Sequence, residues 1–326
     1  MLKRKLYFIL KDKLGDSKIL HVMQLCNQVL FHWDDRMHMT HPGNEDEDKI
    51  YYVVRPSSKA EGLLSLYFNS GIAESQWALK RGYIPYIDYD TENCQYHVQR
   101  MIDGTTNAWE YYFEQPIHFT ADEIKRKKNV ILNGWSLKSH DGLVLTPEVA
   151  KENRLKKLCQ DSYKVKPYIM ERAKQLADQN MISGKTLGVF IRGTDYTALK
   201  PKGHYKQPTI EQVMEKIDDF LGKYSIEKIQ LVTEDFSIFQ KFKAKYGDIL
   251  FSSDDSFVKN YSTEDYKESS FQNDPYERGL NYLIRLILLT KCDYLISSIT
   301  NGSLFVLAER ENEYKDCYLF ELGKYD

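Results

Sequence analysis

The second half of this sequence alternates short apolar, β-rich runs with stretches of helical period, and that alternation constrains the fold more than any other feature. A chain patterned this way buries its strands as a parallel sheet with helices on both faces. The runs are Thr186–Ile191, Lys228–Thr233, Asp248–Ser252, Asp293–Ser297 and Asp316–Leu322. Between them lie helical stretches at Thr209–Tyr224, Ser237–Tyr246 and the strongly apolar Gly279–Lys291, and a last helix begins near Gly302. In the first half, Lys49–Pro56, a helical stretch from Gly62 to Lys80 and Tyr83–Tyr89 read as one βαβ unit, with Asn129–Trp135 as a further strand. A right-handed βαβ crossover leaves a crevice at the carboxyl ends of its strands. The order therefore predicts an α/β protein of two doubly wound halves facing each other across a cleft. Residues 1–48 read as a helical lead-in with an acidic turn, 49–155 as the N-terminal half and 156–326 as the C-terminal half. A Lys-rich helical stretch from Pro147 to Asn180 links the two.

Composition removes several function classes. Forty-five Lys and Arg against 47 Asp and Glu give a formal charge of -2, which argues against a general nucleic-acid footprint. Five widely spaced cysteines with no C-x-x-C pair predict neither a disulfide framework nor a zinc site, and a reducing cytoplasm fits them. The apolar stretch Leu6–Leu10 is broken by Lys11 and lacks the features of a signal peptide. Neither G-x-G-x-x-G nor G-x-x-x-x-G-K-[ST] is present, which disfavours a dehydrogenase or a P-loop enzyme.

Three segments at predicted strand ends carry the chemistry. Gly188-Val-Phe-Ile-Arg-Gly-Thr-Asp195 puts Arg192 where a crevice opens, and a guanidinium fork suits phosphate oxygens. Gly193 beside it lets backbone approach a ligand; the structural alternative is a turn in which Arg192 pairs with Asp195. In Leu231-Val-Thr-Glu-Asp-Phe236, Glu234 and Asp235 are placed to accept from a nucleobase or ribose, although Asp235 is also a good helix cap. In Leu295-Ile-Ser-Ser-Ile-Thr-Asn-Gly-Ser303, small polar residues run into a helix whose first amides suit an anion, with Ser298, Thr300, Asn301, Gly302 and Ser303 around them. A capped helix start without ligand is the alternative there. None of these three segments carries a D-x-D, so a metal-free diphosphate site held by Arg192 is expected, with no metal and no cofactor beyond the substrate.

These segments resemble, in order and spacing over roughly 186–310, the glycosyltransferase superfamily of α1,2-, α1,6- and protein O-fucosyltransferases. Gly-Val-Phe-Ile-Arg-Gly-Thr-Asp is similar to its first motif, His-x-Arg-Arg-x-Asp. Thr-Glu-Asp-Phe and Ser-Ser-Ile-Thr-Asn-Gly-Ser resemble the second and third. Glu61–Phe68 and Ala78–Asp88 are more loosely similar to the family's opening glycine-containing loop, helix and second strand. Two departures stand out: Phe190 occupies the place of the motif's His, and Gly193 that of its second Arg.

The resemblance implies a GT-B fold with two Rossmann-like domains, and an inverting, metal-independent transfer of a sugar, with L-fucose expected, from a GDP-sugar to a glycan hydroxyl. Arg192 would bind the β-phosphate, Glu234 and Asp235 the guanosine, and Thr300–Ser303 the diphosphate. Asp195, Glu110, Glu61 and His204 are open as the base. Trp109, Tyr111 and Tyr112 are expected to stack an acceptor sugar, with packing between the halves as the alternative. Lys125–Lys128 is ordinarily a solvated face; with the basic N-terminus it would suit an anionic membrane, as a lipid-linked glycan acceptor at the inner face of the membrane would require. Surface polysaccharide synthesis is the expected setting. Two rival readings stand: the same fold with another nucleotide-sugar donor, and a catalytically silent nucleotide- or glycan-binding protein. A dinucleotide-dependent oxidoreductase is more remote.

Overall fold

The computed structural model describes residues 37–133, 146–193, 200, 202–252 and 274–326, apart from 57, 60 and 183. Asp195 and most of the expected lead-in lie outside these residues. In chain order the first half contains β1 (His38–Thr40), β2 (Tyr51–Val54), a continuous helical run α1, β3 (Ile84–Ile87), α2 (Ala121–Arg126) and β4 (Val130–Leu132). The run α1 joins Leu63–Ser65, a π-helical stretch Leu66–Ile72 and Ala73–Leu79. Then come α3 (Pro147–Lys151), α4 (Asn153–Lys157, continued by the π-helical turn Leu158–Ser162) and α5 (Pro167–Gln179). The second half runs β5 (Thr186–Phe190), α6 (Ile210–Lys223), β6 (Lys228–Val232), α7 (Phe236–Tyr246), β7 (Leu250–Phe251), α8 (Pro275–Thr290), β8 (Tyr294–Ser298), α9 (Asn301–Glu309) and β9 (Asp316–Phe320).

Among the described residues the strands form two sheets, and each belongs to one half of the chain. The first has the order β1-β4-β2-β3, the second β7-β6-β5-β8-β9. Every pairing in the second sheet is parallel. Its strands are buried on both faces, as β5 and β8 show throughout, which is why they read as unbroken apolar runs rather than as alternation. In the first sheet β2 runs parallel to β3 and β4, but β1 is antiparallel to β4. This short edge strand falls within the expected helical lead-in, whose last residues are therefore part of the sheet.

The acidic turn has a partner. Arg126 Nε lies 3.0 Å from Glu45, Lys127 Nζ 3.0 Å from Glu45 and 2.8 Å from Asp46, and Lys128 pairs with Glu47. Lys127 is only 8% exposed. Arg126, Lys127 and Lys128 are thus paired by the turn before β2, and Lys125 pairs with Asp122 of its own helix at 2.9 Å, so the basic run is not a free cationic face and gives no support to membrane contact. Among the described residues no helix is long and apolar enough to cross a membrane.

Aromatic side chains weld the halves together. Trp109, Tyr111 and Tyr112 are at most 1% exposed and lie in the largest core cluster with Tyr67, Phe68 and Phe113. Trp109 stacks on Tyr67 at 5.8 Å and meets Tyr89 edge-on at the same distance. Tyr112 stacks on Tyr276 of α8 at 5.9 Å and donates to its carbonyl at 3.0 Å. These rings are not available to an acceptor sugar, and the stacking role expected for Trp109, Tyr111 and Tyr112 is corrected to core and interhalf packing. Each hides a large apolar ring from water while its hydroxyl or indole N–H finds a buried carbonyl; for Trp109 that carbonyl belongs to Glu114, at 3.1 Å.

One buried carboxyl sits under the first sheet. Glu74, 2% exposed, accepts a 2.7 Å hydrogen bond from Tyr52, and burial raises its pKa to about 7. Between pH 4.5 and 7 the folded protein keeps a proton that the unfolded chain has released, so stability falls as pH rises across that window and levels off above it. Denaturant midpoints measured from pH 4 to 8 should show this loss, and Glu74→Gln should flatten it by on the order of 1 to 2 kcal/mol; parallel profiles for the two proteins would contradict it. Gly71 tests the aromatic core directly, since an added Cβ would lie 2.5 Å from the Trp109 ring. Gly71→Ala should cost roughly 1 to 3 kcal/mol in chemical denaturation, and an unchanged midpoint would mean that the ring has room to move.

Candidate functional site

The strand order of the second sheet fixes where a ligand fits. Connections from β5 run outward to β6 and β7 on one side, and the chain then returns to β8 and β9 on the other. The order reverses between β5 and β8, and at such a switch point the two flanking loops leave in opposite directions and open a crevice at the carboxyl ends of the strands. Arg192 follows β5 by two residues, and α9 begins three residues after β8. The arginine and the helix start predicted from separate segments are therefore the two lips of one crevice.

The helix start is held rigidly. Thr300 caps α9 by accepting from the Ser303 amide at 3.3 Å, while the Ser303 hydroxyl accepts from the Thr300 amide at 2.8 Å. This reciprocal pair engages the side chains of Thr300 and Ser303. The amides of Asn301 and Gly302 in the first helical turn have no carbonyl within the helix to bond and carry the positive end of its dipole. Gly302 is required by closeness: an added Cβ would lie 2.6 Å from the Phe190 ring and 2.7 Å from the Tyr282 hydroxyl. Ser298, the last residue of β8, is 1% exposed, and its hydroxyl has no hydrogen-bond partner among the described residues.

Across the crevice Arg192 lies 3.8 Å from Glu234, with both side chains partly exposed. Glu234 comes from the β6–α7 loop, so the second predicted segment also reaches the site. Asp235 does not reach it in the way expected. One of its oxygens caps α7, accepting from Ser237 N at 2.8 Å, the Ser237 hydroxyl at 2.7 Å and Ile238 N at 3.2 Å. Its helix-capping use is the one seen. Gly193 is packed against this cap: a Cβ there would meet Ile238 at 2.7 Å and Asp235 at 2.8 Å. A side chain at 193 would have to displace the Ile238 and Asp235 side chains, so the departure from the two-arginine pattern goes with the packing of the α7 cap. Phe190 is 3% exposed with its ring beneath Gly302, so it supports the helix start and is not presented to a ligand.

The expected bases are dispersed. Glu110 holds its own loop, accepting from Thr105 at 2.7 Å and Gln115 at 2.8 Å. His204 is exposed on a loop tied to the chain's last residues, with Gly203 N bonding Tyr325 O and Tyr325 N bonding His204 O, each at 2.9 Å. Glu61 sits before α1 and accepts from Ser65 at 2.8 Å and Ser70 at 2.9 Å. Its carbonyl accepts from Gln95 at 2.7 Å, and Arg278 of α8 donates to the Gln95 carbonyl at 2.9 Å. A hydrogen-bonded chain thus joins Glu61 in the first half to α8 in the second.

Sequence reasoning missed α8 as a contributor to the site. Tyr282 touches Gly302, and burial raises the pKa of its hydroxyl while the charges of Arg192 and Glu234 act on it in opposite directions. Arg285 donates to the Thr233 carbonyl at the end of β6 at 3.5 Å. The signal was present as polar residues inside an otherwise apolar helical run.

No protein-family model and no curated protein matches the sequence. Among solved structures the chain is similar to NodZ alpha-1,6-fucosyltransferase, in a crystal soaked with GDP-fucose, at 15% identity and a TM-score of 0.44 over 79% of this chain and 91% of that one. It is similar to fucosyltransferase NodZ from Bradyrhizobium at 15% identity and a TM-score of 0.40, covering 76% and 88%. A structure of POFUT1 in complex with GDP-fucose is similar at 13% identity and a TM-score of 0.38, covering 84% and 74%.

Proposed function

We propose that the protein is a GT-B type glycosyltransferase of the fucosyltransferase-like class, which moves a sugar, L-fucose in the leading reading, from a GDP-sugar to a hydroxyl of a glycan. The observation that carries the proposal is the pairing of Arg192 with the α9 helix start across the β5/β8 switch point. The sequence resemblance over 186–310 supports it, since the segments that resemble the three motifs are those that meet around this crevice.

An inverting transfer needs three things from the protein: charge neutralisation for the departing diphosphate, room for positive character to develop on the sugar, and a base for the acceptor hydroxyl. Arg192 and the amides of Asn301 and Gly302 would meet the first, as they are fixed donors that require no reorganisation when negative charge appears on the leaving group. The α9 dipole adds to them and acts on charge within its first turn. Glu234, beside Arg192, would orient the guanidinium or accept from the ribose. For the base the geometry favours Glu61, which its link through Gln95 and Arg278 ties to the helix lining the crevice. A metal-independent reaction in surface-glycan synthesis remains the reading that the donor chemistry suggests.

A second donor reading has a specific motive. Phe190 is buried and presents no polar edge, so selection of guanine through that position is absent, and another nucleoside diphosphate sugar would find the same phosphate cradle. Calorimetry of GDP, UDP and ADP in EDTA separates the readings. GDP-selective binding that weakens by roughly 1.5 to 3 kcal/mol in folded Arg192→Ala, the worth of a charge-assisted hydrogen bond, is the expected result. UDP or ADP selectivity would move the donor, and failure to bind all three would remove the reading. Glu61→Gln should keep GDP affinity and lower transfer by roughly 100-fold or more in an acceptor screen; unchanged turnover would return the base to the other carboxylates.

A further inference from the structure

Helix α8 is apolar along most of its length, and its side chains at 280, 283, 284 and 286–289 are buried. Arg278, Tyr282 and Arg285 interrupt that pattern at spacings of four and three residues, so they share one stripe of the helix. The two arginines are occupied within the protein. Arg278 donates to the Gln95 carbonyl at 2.9 Å and to its side-chain oxygen at 3.2 Å, and Arg285 donates to the carbonyls of Asn281 at 3.3 Å and Thr233 at 3.5 Å. Tyr282, between them, differs. Its hydroxyl lies 2.7 Å from the point where a Cβ on Gly302 would stand, so it reaches the first turn of α9. Among the described residues no hydrogen bond engages that hydroxyl, and the side chain is partly exposed. Other tyrosines of the core behave in the ordinary way. The hydroxyls of Tyr67, Tyr89 and Tyr112 donate to the carbonyls of Tyr163, Leu66 and Tyr276 at 2.8, 2.9 and 3.0 Å, and that of Tyr96 accepts from the Leu63 amide at 3.1 Å. A tyrosine hydroxyl withdrawn from water normally finds such a partner, because leaving it unpaired forfeits its hydration.

We propose that the Tyr282 hydroxyl donates a hydrogen bond to the diphosphate of the bound donor, alongside Arg192 and the first amides of α9. The proposal rests on the nucleotide-sugar reading above and deepens it. Position carries the argument: the hydroxyl stands beside the helix start that forms one lip of the crevice. It also lies in the field of the other lip, since among the charged groups that act on it Arg192 comes first and Glu234 opposes it. Burial raises its pKa, so the group keeps its proton at neutral pH and is available as a donor. A phosphate oxygen would supply the partner that the free protein lacks, and a hydrogen bond to a charged acceptor is stronger than one between neutral groups. Donation leaves the tyrosine uncharged, so it adds to the cradle without competing with Arg192. The hydroxyl then serves the ligand and not the fold, and removing it should separate the two.

The test uses Tyr282→Phe, which keeps the ring and deletes only the hydroxyl. Calorimetry with GDP, UDP and inorganic pyrophosphate is run on wild type, Tyr282→Phe and Arg192→Ala, with thermal unfolding of each ligand-free protein. Tyr282→Phe should weaken each diphosphate that wild type binds by roughly tenfold, and by a similar factor for each, because the contact is to the part they share. Its unfolding temperature should equal or exceed that of wild type, since no hydrogen bond within the protein is lost. Full wild-type affinity in Tyr282→Phe would overturn the role of Tyr282, and a loss in Arg192→Ala alone would leave the nucleotide-sugar reading standing. A loss confined to one nucleotide, with pyrophosphate unaffected, would put the hydroxyl on the nucleoside and overturn contact with the diphosphate. A marked fall in unfolding temperature, or a variant that does not fold, would show that the hydroxyl is used inside the protein and would overturn the proposal as well. Absence of binding of all three by wild type would overturn both claims.

Discussion

The crevice depends on how closely the start of α9 approaches the end of β5. That distance is set by a missing side chain: at Gly302 the Phe190 ring and the Tyr282 hydroxyl occupy the volume a Cβ would fill. With the backbone this near, the first amides of α9 open onto the space that Arg192 enters from the other side. The capping pair of Thr300 and Ser303 fixes the direction of the helix, and the parallel register of β5 with β8 fixes its height. Charge complementarity at the site is thus a consequence of packing, with Gly302 as the hinge between the two.

A second constraint operates at larger scale. The two sheets share no strand, yet their halves are joined by a buried aromatic cluster in which Tyr112 lies against Tyr276 of α8. The same helix carries Arg278 to Gln95 of the first half, Tyr282 to Gly302 and Arg285 to the Thr233 carbonyl, so the element that binds the halves together also reaches the strand ends. Buried rings hold α8 in place, and Tyr282 and Arg285 are brought to the strand ends as a result. Movement of one half against the other would have to repack these rings, which makes the cleft between them a defined surface rather than a loose gap.

Much of the second half was legible from its sequence because its strands are buried on both faces and its helices are amphipathic. The expected run 228–233 and the observed β6, Lys228–Val232, differ by one residue. The start of α8 was read late, at Gly279 instead of Pro275, although Asp274 caps it and Pro275 opens it; the cap lies before the apolar pattern becomes regular. β1 was not legible, since three residues paired with a strand some 90 positions away leave no local period. The site was legible in its charges and not in its geometry. Arg192 and Thr300–Ser303 announce anion chemistry by residue type, but the fate of Asp235 as a cap and of Trp109, Tyr111 and Tyr112 as core depends on which way a side chain points. In a loop that direction is set by tertiary packing. Arg126, Lys127 and Lys128 illustrate the same limit, as their partners Glu45–Glu47 lie about 80 residues earlier.

The central claim is that a nucleoside diphosphate occupies the switch point between β5 and β8. A crystal structure grown with GDP tests it most directly. The account predicts a diphosphate within hydrogen-bonding distance of Arg192 and of the Asn301 and Gly302 amides, with the nucleoside extending toward Glu234. A nucleotide bound instead at the ends of β2 and β3 in the first half, with the second-half crevice filled only by solvent, would contradict it.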